Sequence, residues 1–279
     1  MRLIETAQIT DAVAKLCVCA NVKIGADIRR ALENARDTET LPIAHSVLDT
    51  LLKNADIAEC ENLPICQDTG MAVVFVTIGN EIHVSGDIEA AINEGVRRGY
   101  CEGYFRNSVV RDPIDRKNTG DNTPAVIHYE FVTGSNLTIT VAPKGFGSEN
   151  MSAIRMLNPA DGIDGVMDFV VETVRIAGAN PCPPIVVGVG VGGTMEKAAL
   201  LAKKALLRDV DSASEELFWA EIESHLLERI NALDIGAAGY GGKTTALGVN
   251  ILAYPTHIAG LPVAVNIGCH VTRHKAVVL

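Results

Sequence analysis

The stretch AVIHYEFVTGSNLTITV, Ala125 to Val141, sets two runs rich in β-branched and aromatic residues on either side of Gly134-Ser-Asn136. Such runs flanking a three-residue, glycine-containing turn have the pattern of an antiparallel β-hairpin. A purely parallel sheet is therefore disfavoured. The neighbouring segments alternate between helix and strand patterns, so the expected class is α/β (mixed α+β). Its sheet is mixed, contains this antiparallel hairpin and is packed by helices.

Upstream, an apolar run from Gly70 to Ile78 reads as a buried strand, Ile82 to Val84 as a short strand, and about Asp87 to Tyr104 as a helix. A polar loop from Arg106 to Pro124 follows. The first sixty residues carry three helical stripes: Ile9, Val13, Leu16 and Ala20; Ile28, Ala31, Leu32 and Ala35; Val47, Leu48, Leu51 and Leu52. Downstream lie a helix near Gly165 to Ala177, the strand IVVGVG, and two helices within 194 to 231. Ser212-Ala-Ser-Glu215 has the capping-box pattern and is expected to open the second of these. Strands at about 245 to 254 and 262 to 267 close the chain. No repeat, low-complexity tract or linker divides it, so residues 1–279 read as one domain with 1–60 as a helical preface.

Composition narrows function. With 48% hydrophobic and 21% charged residues the chain can bury a large core, and a net charge of −10 disfavours unspecific nucleic-acid binding. Glu5, Asp11 and Lys15 interrupt the N-terminus, and no apolar run avoids charge and glycine for about twenty residues. The reading is a cytoplasmic protein with neither nucleic acid nor membrane as partner. Seven cysteines without regular spacing fit a reducing compartment, where they are buried, catalytic or metal-bound.

Two glycine-rich motifs invite a nucleotide reading. Gly188-Val-Gly190-Val-Gly-Gly193 fits G-x-G-x-x-G after a strand, but a second helix follows where the strand bearing a ribose-binding carboxylate should be. Gly241-Gly-Lys-Thr244 lacks the first glycine of a P-loop, Ala237 standing in its place. Both read as structural turns.

The cysteines divide by context. Cys17, Cys19 and Cys101 lie in amphipathic helices and read as small core hydrophobes, and Cys60 near a helix end as structural. Cys66 in PICQDTG, Cys182 in NPCPP and Cys269 in NIGCH sit in Pro- or Gly-bounded connections at strand ends, where α/β scaffolds gather reacting groups. Spacing alone leaves open whether these are metal ligands or ordinary buried thiols. Asp68, His257, Arg106 and Lys144 offer an acid or base and carboxylate-binding cations in similar turns, though each also has a structural explanation.

The words ICQDTG, NTGDNTP, PKGFGSEN, NPCPPIVVGVGVGG, GGKTTALGV, YPTHIAGLPVAVN and CHVTRH together resemble the α-type part of class I, iron–sulfur-dependent fumarate hydratases and the related L-tartrate dehydratases. The resemblance runs from the N-terminal helices to the C-terminus. It implies a 4Fe-4S cluster held by Cys66, Cys182 and Cys269 with one iron open to substrate. It also implies substrate contacts from Gln67, Asp68, Arg106, Gly147 and Asn150, and catalytic roles for Asp68 and His257. Fused members continue into a second domain, which a separate chain is expected to supply here. The implied partners are thus a β subunit completing the site, an α–α dimer within an α2β2 assembly, and a small dicarboxylate. Hydration of fumarate to (S)-malate is the expected reaction, in the tricarboxylic acid cycle. Tartrate dehydration is the alternative, and a metal-free structural or binding subunit is the alternative of a different class.

Overall fold

The apolar run after Gly70 forms a strand buried over most of its length in the computed structural model, which describes residues 2–279. In chain order the elements are β1 (Arg2–Glu5), α1 (Thr6–Val22), α2 (Ala26–Thr38), α3 (Pro42–Glu61), β2 (Met71–Gly79), β3 (Ile82–Ser85), α4 (Ile88–Glu102), β4 (Val126–Val132) and β5 (Leu137–Lys144). There follow α5 (Phe146–Glu149), β6 (Ala153–Leu157), α6 (Gly162–Ala177), β7 (Ile185–Gly192), α7 (Met195–Ala205), α8 (Leu217–Asn231), β8 (Ala246–Tyr254), β9 (Leu261–Gly268) and β10 (Lys275–Val278). The mixed α/β class and the three N-terminal helices are as expected. The short strands β1, β6 and β10 carry too little periodicity to have been read.

The chain divides into two compact units. The first comprises the chain up to Ile24, Asn54–Phe146 and Arg273–Leu279. Its main sheet has the order β10-β5-β2-β4, with β2 antiparallel to β5 and parallel to β4. Ala72, Val74 and Val76 of β2 and Leu137, Ile139 and Val141 of β5 pack with Ile9, Val13, Ile92 and Val96 of α1 and α4 in one core. Gly95 and Gly99 make that packing close, since a Cβ on either would lie within 2.8 Å of α1 atoms. Asp87 caps α4 by accepting from Ala90 N at 3.0 Å.

The expected hairpin is not formed: β4 and β5 lie on opposite sides of β2. A strand buried as thoroughly as β2 needs hydrogen-bonded partners along both edges, and the two runs supply one each. The Gly134-Ser-Asn136 turn instead crosses the end of β2. Gly79 N donates to Asn136 O, Asn80 N to Val132 O and Glu81 N to Gly134 O, at 2.8–3.0 Å. Gly79 is required there, because its Cβ would lie 2.3 Å from Gly134 O.

The second unit, Gly25–Lys53 and Gly147–Thr272, holds a four-stranded sheet of order β6-β9-β7-β8. All eight residues of β7 are buried. Ile185, Val187, Val189 and Val191 face a core built with Val166, Phe169, Val170 and Val174 of α6 and Ile222, Leu226 and Ile230 of α8. The alternate positions Gly188 and Gly190 face α7, where a Cβ would meet Ala202 O at 2.2 Å and Ala198 O at 2.0 Å. The G-x-G pattern is thus a helix-packing device.

The expected capping box at Ser212 is also corrected. α8 starts at Leu217, and Ser212 Oγ donates to Asp209 O at 2.7 Å. The buried Glu223 carboxylate accepts from Ser214 N at 2.9 Å and pairs with Arg208 at 2.6 Å, holding this stretch as a turn. Gly190→Val should lower the urea unfolding midpoint by the equivalent of about 3 kcal/mol, the upper range for forced overpacking. Ile258→Ala, at a side chain 91% exposed, should leave the midpoint unchanged.

Candidate active site

In the first unit the site residues gather at the start of β2. Gly70 has φ +75 and a Cβ there would lie 2.8 Å from the Lys144 backbone, so glycine alone lets PICQDTG lie against PKGFG. Asp68 fastens the two loops. Its Oδ1 accepts from Gly70 N and its Oδ2 from Phe146 N, both at 2.9 Å, while its carbonyl accepts from Arg273 Nη2 at 2.6 Å.

Beneath the same turn, the buried Tyr100 hydroxyl donates to Thr69 O at 2.8 Å, and burial pushes its phenol pKa up. Thr69 Oγ1 donates to Arg106 O at 3.1 Å, bringing the Arg106 loop to the turn. Asn122, fully buried, completes the join: its Nδ2 donates to Gly70 O at 3.1 Å and its Oδ1 accepts from Ser108 N at 2.7 Å. Cys66 and Asp68 are half-buried, and Gln67 and Arg106 exposed. The Arg106 guanidinium makes no ion pair among the described residues.

Arg273, Tyr100 and Asn122 were not assigned roles from the sequence. Their work is support; NTGDNTP and CHVTRH, as intact words, hinted at Asn122 and Arg273, and nothing in the sequence singled out Tyr100. Arg273 is 6% exposed and its buried Nε has no hydrogen-bond partner among the described residues. A guanidinium charge held so far from water, with no carboxylate paired to it, favours an anion nearby.

In the second unit the Cys182 and Cys269 loops are clasped. The carbonyl of Cys182 lies 2.9 Å from Nδ1 of His270, the residue after Cys269. Cys182 has φ +56, an uncommon conformation for a side chain-bearing residue and one that collects at functional sites. Its N–H donates to Ala179 O at 3.1 Å. The GSEN turn joins the same end of the sheet. Ile267 N donates to Ser152 Oγ at 3.1 Å, Asn266 Nδ2 donates to Glu149 Oε2 at 2.9 Å, and Glu149 pairs with Lys203. Asn150 and Gly147 are exposed there. A Cβ on Gly147 would meet nothing nearer than 3.9 Å, so packing does not demand glycine; close backbone approach by a ligand would.

His257 does not share that end. β7 runs from Ile185, beside Cys182, to Gly192, which is paired with Tyr254 shortly before His257. At about 3.3 Å per residue, a strand of this length places His257 about 25 Å along the sheet from the two cysteine loops. Its Nδ1 accepts from Ala259 N at 3.2 Å, so the neutral ring carries its proton on Nε2, in an exposed turn. Within this unit His257 therefore stands apart from the Cys182 and Cys269 loops.

No disulfide is formed among the described residues. Cys17 is a core residue, its thiol pushed up to about 12 by burial, but Cys19 and Cys101 are exposed rather than core as expected. Among the described residues no three His, Cys, Asp or Glu side chains form a site for a single metal ion. An iron–sulfur cluster asks something different, since its thiolates bind separate irons. The partly accessible, strand-end thiols Cys66, Cys182 and Cys269 are a donor set of the right chemistry for it.

A model of the fumarate hydratase (Fumerase) family matches residues 10–278. The chain belongs to that family. Its relatives include a Methanocaldococcus jannaschii protein provisionally named L(+)-tartrate dehydratase subunit alpha, 43% identical with 95% of each chain covered. The L(+)-tartrate dehydratase subunit alpha of Escherichia coli UTI89 is 31% identical, and that of strain K12 30%, each over 95% of this chain and 89% of the relative. No helix among this family member's described residues is long and apolar enough to cross a membrane.

Asn122→Ala should destabilise the first unit by about 1–3 kcal/mol, because Gly70 O and Ser108 N lose a buried partner. It should also raise backbone hydrogen exchange across residues 66–70 and 106–109. Exchange confined to 106–109 would show that Asn122 does not support the cysteine turn.

Proposed function

We propose that this chain is the α subunit of a hydro-lyase for a four-carbon dicarboxylate, reversibly hydrating fumarate to (S)-malate in the cytoplasm as part of the tricarboxylic acid cycle. Residues 1–279 act as one functional domain, and a β subunit completes the site in an α2β2 assembly built on an α–α pair. Family membership supports the reaction class, and the relatives' names support the subunit role. The observation that carries the reading is the clasp between the Cys182 and Cys269 loops, with Cys182 held at φ +56. Ordinary core cysteines need neither. Tartrate dehydration is the second reading, favoured by the names of the relatives.

Cys66, Cys182 and Cys269 would hold a 4Fe-4S cluster, which when bound supplies a Lewis-acidic iron for the substrate hydroxyl. This chain's own groups would bind the substrate and serve its hydroxyl, and the proton transfer at carbon falls to the β subunit that completes the site. Arg106 pairs with a substrate carboxylate and Gln67 hydrogen-bonds the substrate. Gly147 lets the backbone approach it, and Asn150 orients it. Asp68 gives or takes the proton at the hydroxyl oxygen; its two backbone bonds fix the carboxylate while leaving lone pairs for that work. His257 is the second catalytic residue of this reading; because its turn lies at the far end of the sheet from the Cys182 and Cys269 loops, it would have to reach the substrate through the assembly rather than within its own unit.

Single Cys→Ser substitutions at Cys66, Cys182 and Cys269 should each abolish normal iron and sulfide content after anaerobic reconstitution, while Cys19→Ser and Cys101→Ser keep it. Full cluster content in Cys182→Ser would overturn the assignment. Anaerobic assays with the co-expressed β subunit on malate, fumarate and both tartrate enantiomers decide the substrate.

Asp68→Asn tests the acid–base role, with a complication the structure exposes. An amide can accept from only one of Gly70 N and Phe146 N, so the loop clasp weakens as well. If Asp68 moves the proton, kcat normalised to iron content should fall about 100- to 10,000-fold with KM nearly unchanged. A purely structural Asp68 predicts a lower Tm with normalised kcat within a few-fold of wild type.

A further inference from the structure

The strand β4, read above as half of a hairpin, is an edge strand. It pairs with β2 on one side, and no strand among the described residues pairs with the other. Its side chains are unusually apolar for such a position: Val126 is 37% exposed, Tyr129 41%, Phe131 75% and Val132 41%. Strand edges are normally protected by lysine, proline, a bulge or a covering element. Here β4 has seven residues in regular register with β2, with no Lys or Pro among them.

The sequence of the strand indicates its occupant. Read outward from Tyr129, VIHYEFV is complementary to itself. When two copies pair antiparallel about a two-fold axis through Tyr129, Val126 meets Val132, Ile127 meets Phe131 and His128 meets Glu130, each contact occurring twice. Directly opposed residues on one face have Cβ atoms about 4.5–5.5 Å apart, within reach for an imidazole–carboxylate hydrogen bond. A two-fold perpendicular to the sheet opposes residues of like face, so the neighbouring registers centre on His128 or Glu130. Those would set His128 on His128 or Glu130 on Glu130. Of these, the Tyr129-centred register alone sets an imidazole opposite a carboxylate, and the His128 ring is already steadied by stacking on Phe75, with centroids 5.2 Å apart.

We propose that the outer edge of β4 is the surface through which two copies of this chain associate, joining their sheets edge to edge about a two-fold at Tyr129. Isologous contacts of this kind are the common route to a homodimer. The inference deepens the α–α pairing proposed above by naming its surface, and it does not depend on the reaction or the cluster.

Sedimentation equilibrium of the full-length chain, with circular dichroism to verify folding, tests it. The wild-type chain should dimerise. His128→Glu, which opposes Glu to Glu twice, and Phe131→Lys should each weaken the dimer by about tenfold or more. The swap His128→Glu with Glu130→His should restore it to within about threefold, which general destabilisation would not do. Should a single variant fail to fold, Tyr129→Cys provides a second measurement. Opposed Cα atoms in an antiparallel pair are about 4.5–5.5 Å apart, within disulfide reach. Mild oxidation should then cross-link dimers well above the wild-type background from the exposed Cys19, Cys60, Cys101 and Cys182. A monomeric wild-type chain would overturn both the surface and the α–α pairing, leaving the hydro-lyase reading standing. A dimer indifferent to the β4 variants, or Tyr129→Cys cross-linking no better than wild type, would overturn the surface alone.

Discussion

A strand buried on both faces must also find partners for the backbone groups on both of its edges, since an unpaired buried N–H or C=O costs about 1–3 kcal/mol. In this chain that constraint falls on β2 and β7. Each is the apolar centre of its own unit, and the rest of each sheet is arranged to satisfy it. β2 takes β4 on one side and β5 on the other; β7 takes β8 and β9. The loops entering these two strands are held by hydrogen bonds from neighbouring loops, at Asp68 in the first unit and between the Cys182 carbonyl and His270 in the second. PICQDTG leads into β2 and NPCPP into β7, so the thiols carried by both loops rest on rigid supports.

The same centring explains the glycines. Gly79 allows a turn to cross the end of β2, Gly70 allows two loops to touch at its start, and Gly188 and Gly190 admit α7 against β7. None of these positions needs a nucleotide to account for it. The apparent G-x-G of a dinucleotide loop follows from packing: where a helix must approach a central strand closely, there is no room for a Cβ.

Asp68 shows how support and the proposed chemistry would fall on one side chain. Its carboxylate accepts from two backbone N–H groups while its carbonyl accepts from the buried Arg273. A carboxylate so fixed is well placed for proton transfer, and for the same reason its substitution disturbs structure. The edge of β4 presents the complementary case. Satisfying β2 left β4 with one open edge, and the exposed apolar residues there ask for a partner beyond the chain.

Much was legible in local pattern. Helical stripes set α1 to α3, the apolar run set β2, and the words around Cys66, Cys182 and Cys269 separated them from the other cysteines, because periodicity and turn chemistry are short-range properties of the chain. What only the tertiary structure decided were the long-range pairings. The hairpin pattern of residues 125 to 141 was misread because propensity marks a strand without naming its partner, and β2, distant in sequence, competed better for both runs. The resemblance likewise implied that His257 and Cys269 serve one site. Yet β9 lies between them and carries the chain from one end of the sheet to the other, a separation that spacing along a sequence does not reveal.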